Sequence, residues 1–253
     1  MRRALLAVAT LSVAAAAAAV APPLPAQGTF RIVVDSVTES RSREASNETA
    51  GRLTLMPKLD GDGLEEARAF RIRVAAAADD TGKDLLPEEP APARWEENAD
   101  GEGLWIRLAS PARSAATVTV SGTVDLWAPQ RDAGAEVKVP KALGRPGKPF
   151  SSAGLRSAGV ALGLAPRDAT PEGTISITGR EPDLEKVRSI RVLASDGSEI
   201  ETKGRRTGVV DGKETIEILL SGPAPGDATL VFGLLTKKST LSVPFELEEV
   251  PLP

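Results

Sequence analysis

At 253 residues the chain has room for one large domain or for two of about 110. It carries 31 basic and 35 acidic residues, a net charge of −4, and it has neither His nor Cys. That composition excludes a Ser-His-Asp triad, a thiol nucleophile and the common His/Cys metal centres. The acidic balance also argues against nucleic acid or an anionic membrane surface as a partner, because both need a basic face. Apolar residues make up 41% of the chain but aromatics only 3%, with no Tyr, so any core must be built from Val, Leu, Ile and Ala.

The chain opens with MRRALLAVATLSVAAAAAAVAPPLPAQG: two arginines, an Ala/Leu/Val run and a small residue, Ala26, before Gln27. This three-part pattern predicts a signal peptide over 1–26, with no membrane span left after cleavage and a periplasmic or secreted product. The competing reading is an uncleaved anchor, since the apolar run is of borderline spanning length. Losing Arg2 and Arg3 with a leader that holds no acid takes the net charge from −4 to −6. An exported protein without cysteine must be stable without disulfides, which fits a bacterial envelope protein.

Beyond the leader, Phe30, Ile32 and Val34 alternate with Arg31 and Asp35 and predict a first strand, followed by a polar loop over Thr38–Ala50 and a short strand at Leu53 and Leu55. Asp62 and Glu65 are spaced as a capping box for one helical turn. Phe70, Ile72 and Val74 give the next strand, which ends in the turn Asp79-Asp80-Thr81-Gly82. The prolines of PEEPAP over 87–92 bar a central strand, and a short strand is expected near Arg94–Glu96.

The longest alternation runs from Leu104 to Trp127. Leu104, Ile106 and Leu108 share one phase; after a break at Ser110-Pro111, Val118, Val120, Val124 and Leu126 continue with period two. A copy lies 112 residues on: Ile106 matches Ile218, Leu108 matches Leu220, Pro111 matches Pro223, and Ala116-Thr117 match Ala228-Thr229. Val137 and Val139 close the first unit. The Pro- and Gly-dense segment 141–157 reads as a linker, and strands resume at Val160, with the last over Leu241–Leu247.

Two units of about seven short strands, separated by turns and lacking long amphipathic helices, predict an all-β protein: two tandem Ig-like antiparallel β-sandwiches arising from an internal duplication. The expected boundaries are 27–140 for the first sandwich and 158–253 for the second.

Two constellations stand out as candidate sites. All three tryptophans fall in the first unit, and Trp105 and Trp127 are out of phase with the core residues beside them. Aromatics on the outward face form a platform for a glycan or protein, or else seal a contact between units. Second, if strands alternate up and down, Asp60, Asp62, Asp100, Glu102 and Asp132 gather at one loop end, an oxygen-rich set of the kind Ca²⁺ uses. Turn formation accounts for the same residues without metal, and no cofactor is expected. No nucleotide-binding glycine motif occurs. The sequence therefore predicts a non-enzymatic exported binding or scaffolding module of the bacterial cell envelope, with an envelope protein or glycan as partner. The alternative is a calcium-dependent carbohydrate- or protein-binding sandwich.

Overall fold

The computed structural model describes residues 30–43, 49–61, 64–89, 92–97, 104–166, 173–210 and 212–253. The leader, and with it the expected cleavage site, lies outside them. The described chain is all-β, with several antiparallel sheets and only short helices. In order it forms β1 (Phe30–Arg43), β2 (Thr49–Gly61), β3 (Ala69–Asp79), β4 (Ile106–Ala109), β5 (Thr117–Trp127), β6 (Glu136–Val139), α1 (Ala153–Ser157), β7 (Leu162–Leu164) and β8 (Thr174–Gly179). It continues through α2 (Glu181–Glu185), β9 (Val187–Leu193), β10 (Glu199–Ile200), β11 (Thr202–Val210), β12 (Lys213–Leu220), β13 (Thr229–Leu234) and β14 (Thr240–Pro251).

Four sheets result: β1-β2-β4, β14-β5-β3, β10-β9-β13-β6 and β11-β12-β8-β7. The first two close over a core of two clusters that share the partly buried Ile32, Ile72 and Phe245. Leu53, Leu55, Ile106 and Leu108 point in from one sheet, and Ala77, Val118, Val120, Leu247 and Val250 from the other. The second two close over another, where Ile175, Ile177, Ile216, Ile218 and Leu220 meet Val137, Val139, Ile190, Leu230 and Phe232. Sheet against sheet with alternate residues inward is a sandwich, the packing that lets each strand bury one face.

The chain changes sandwich at two places. β6 follows β5 directly, yet it pairs with β13, Val137 opposite Phe232 and Val139 opposite Leu230. β14 follows β13, yet it pairs with β5, Thr240 opposite Trp127 and Leu247 opposite Val120. The chain thus crosses from the first sandwich to the second after β5 and returns after β13. As the outermost strand of its sheet, β14 tolerates Pro244, whose missing N–H is not needed on an open edge.

Three expectations are corrected by this arrangement. The boundary at 140 fails because Val137 and Val139 are buried in the second core, while Leu247 and Val250 are buried in the first. The segment 141–157 is not a free tether: Ala142, Leu143 and Leu155 are buried in the second core, and Ser152 caps α1 by accepting from the Leu155 N–H. The loop expected from Thr38 is strand as far as Arg43, paired back on β2 up to Thr49. A two-stranded ladder pairs the backbone groups that face each other and leaves the outward ones to water, so this ribbon needs no apolar alternation.

Other expectations hold in detail. Ile106, Leu108, Ile218 and Leu220 are all buried, and Thr117 and Thr229, 112 residues apart, each begin a strand. Gly82 adopts φ +84° in the expected turn. Glu96 bridges to Phe70 as the one paired residue of the short strand expected there. Asp62 of the expected capping box is outside the described residues; Glu65 lies in the single 3-10 turn Leu64–Glu66.

Candidate functional site

Trp105 lies just ahead of β4 and is 52% exposed. Its phase puts it on the outward face of the β1-β2-β4 sheet, because Ile106 and Leu108 beside it point inward. The same face carries a cross-strand row of Thr38, Thr54 and Arg107, followed by Ser40 and Arg52 on the neighbouring pair. An indole on a sheet face that also carries hydroxyls and guanidinium groups offers an apolar surface with hydrogen-bond donors on the same face.

Trp127 is on the outward face of its own sheet, but it is only 3% exposed, which removes it as a ligand platform. The second sandwich covers it. Its indole N–H donates to the Leu234 carbonyl at 3.1 Å, and its ring lies against Gly233, where an added Cβ would come within 2.7 Å of the ring carbon Cη2. Backbone bonds continue the contact: the Ala128 N–H donates to the Ser239 carbonyl at 2.8 Å. Trp127 seals the junction, the second of the two roles its phase allowed.

A cluster the sequence did not single out lies on the outward face of the β14-β5-β3 sheet. Asp125, 1% exposed, accepts from Arg71 at 2.7 and 2.9 Å, from Arg73 at 2.9 and 3.0 Å and from the Ser242 hydroxyl at 2.6 Å. Burial raises the Asp125 pKa, but the bonds from Arg73, Ser242 and Arg71 outweigh it and leave the carboxyl below its usual range. Three strands are thereby tied to one carboxylate, and Ser242 binds the returning β14 to β5. Arg71 also stacks on Trp95 at 4.7 Å, with Arg188 of β9 on the same ring at 5.9 Å. Burial pushes the Arg188 guanidinium down to about 10, with Arg205 nearby adding to the effect. Alternation did place Arg71, Arg73 and Asp125 off the core, but it could not show that β3 and β5 pair so as to bring them together.

Of the five candidate calcium ligands, Asp62, Asp100 and Glu102 lie outside the described residues. Asp60 is engaged by Arg31 at 3.0 Å. Asp132 accepts from the Thr236 hydroxyl at 2.6 Å and the Gly134 N–H at 2.9 Å, bonds that lower its pKa. Among the described residues no group of three or more metal-ligating side chains gathers.

Asp79, 5% exposed, is a structural staple. Its carboxylate accepts from the Thr81 hydroxyl and from the N–H groups of Thr81, Lys83 and Ala112, at 2.6 to 3.0 Å. Burial acts to raise its pKa, yet these four bonds hold it down to about 2. The bond to Ala112 pins the turn after β3 to the break at Ser110-Pro111.

No protein-family model, curated protein or solved structure matches the chain.

Proposed function

We propose that the chain is a non-catalytic, exported binding or scaffolding module of the bacterial cell envelope, built from two duplicated Ig-like sandwiches. The leader pattern supports export, and the absence of His and Cys supports a non-enzymatic role. The duplication is supported by sheet order. β1-β2-β4 corresponds to β7-β8-β12, and β3-β5 to β9-β13. By the 112-residue offset, β6 corresponds to the last residues of β14. On this reading each unit has given its final strand to the other. Two sandwiches joined by traded strands and a shared buried Trp make a stiff pair, which suits a scaffold.

The observation that carries the binding role is Trp105, a large aromatic left exposed on a sheet face lined with hydroxyl and guanidinium groups. Sedimentation of the mature protein with isolated envelope fractions tests it. The wild-type protein should pellet with the envelope and Trp105→Ala should stay in the supernatant. Equal partition of the two proteins would refute the role of this face.

A further inference from the structure

The stretch between β6 and β7 forms one wall of a depression. Residues 138–154 and the turn at Gly226-Asp227 surround this space of about 870 Å³ on the second sandwich, and Lys138, Lys141, Arg145 and Lys148 line it. Among the described residues none of these four cations is in an ion pair, whereas Arg71, Arg73, Arg131, Arg180, Arg191 and Arg206 all are. Among the described residues Asp227 is the only acid in the lining. A chain whose net charge is −4 thus concentrates a local excess of +3 in one concavity. Like charges gathered without partners repel, and a bound anion relieves that repulsion.

The main chain that carries these cations is held by its neighbours. Lys138 points outward because its neighbours Val137 and Val139 fill the core. The Lys148 carbonyl accepts from the Leu164 N–H at 3.1 Å, and the Phe150 N–H donates to the Leu162 carbonyl at 2.8 Å, so this stretch is tied to β7. Lys141 holds the left-handed conformation, φ 53°, which a non-glycine residue adopts at a cost. Phe150, half-buried in the lining with its ring 5.7 Å from that of Phe232, adds an apolar surface, and Ser151 adds a hydroxyl.

We infer that this depression binds a segment of an acidic oligosaccharide. The carboxylates would pair with the lysines and Arg145, and the C–H face of one sugar would rest on Phe150. The volume is of the size that holds a small ligand or a short run of sugars. This inference stands on the charge and shape of the depression and is independent of where the protein resides.

The test is calorimetric titration of the full chain with trigalacturonate, neutral maltotriose and inorganic phosphate. Trigalacturonate should bind, weaken as salt rises, and lose at least about tenfold in affinity in Lys141→Gln and in Lys148→Glu. Lys203→Glu, an exposed cation on β11, should bind as wild type. Unchanged melting temperatures in the Lys141 and Lys148 variants would show that the loss is not unfolding. No binding at millimolar trigalacturonate would overturn the inference, and so would equal binding of maltotriose or equal loss in Lys203→Glu. Displacement by equimolar phosphate would assign the depression to simple anions instead.

Discussion

Leu247 belongs by sequence to the second half of the chain and by structure to the first core, so its truncation separates the two descriptions. Its side chain is 7% exposed and packs in the cluster that contains Leu53, Leu55, Ile106 and Leu108. Leu247→Ala removes buried methyl groups and leaves a cavity, a loss of about 2–5 kcal/mol; its place on an outer strand, where the site can relax, favours the lower half. Val137→Ala is the reciprocal change: a valine from the first half, 5% exposed in the second core, worth about 2 kcal/mol. Hydrogen exchange followed by mass spectrometry reads both. Leu247→Ala should speed exchange in β2 and β5 and leave β8 and β12 protected, and Val137→Ala should do the opposite. Faster exchange of β8 and β12 in Leu247→Ala, with β2 and β5 unchanged, would refute the strand assignment.

Asp79 gives a pH dependence. Its folded pKa, about 2, lies below the ordinary value of 3.8, so its contribution is complete above pH 4 and is lost as pH falls toward 2. Denaturant midpoints between pH 5 and 2 should show a loss on the order of 1–2 kcal/mol that Asp79→Asn flattens. Gly233→Ala should destabilise by about 1–3 kcal/mol, because the new methyl would lie 2.2 Å from the Ser189 hydroxyl and 2.7 Å from the Trp127 ring. A wild-type melting temperature in that variant would contradict the tight junction. In single-Trp variants iodide should quench Trp105 and spare Trp127; strong quenching of Trp127 would mean the junction is open.

The sequence disclosed what depends on local alternation. The phases of Ile106, Leu108, Val118 and Val120, the break at Ser110-Pro111 and the matching start of β5 and β13 all follow from which face each residue must bury. Partner choice is different. Val137 and Val139 satisfy their alternation against the edge of either β5 or β13, and so do Leu241 and Leu247. Periodicity carries no information about which edge is taken. Trp127 shows the same limit: its phase correctly put it outside its own core, but only the placement of the second sandwich decides that the outside is covered. In 141–157 the anchors sit in elements too short to show a period, Leu143 in a single 3-10 turn and Leu155 in the five-residue α1. The cations at Lys138, Lys141, Arg145 and Lys148 fall within eleven residues, but only the folding of those turns sets them around one depression.

The traded strands are the centre of this account, and a chain without cysteine allows a clean test. Ser121 of β5 and Glu246 of β14 are direct antiparallel partners, a spacing of about 4.5–5.5 Å between Cα atoms that a disulfide spans. Ser121→Cys with Glu246→Cys should oxidise to a disulfide within the monomer, seen as a band shift on non-reducing electrophoresis and as a single cross-linked peptide. Thiols that stay reduced, or that join only separate copies, would contradict the return of β14 to the first sandwich.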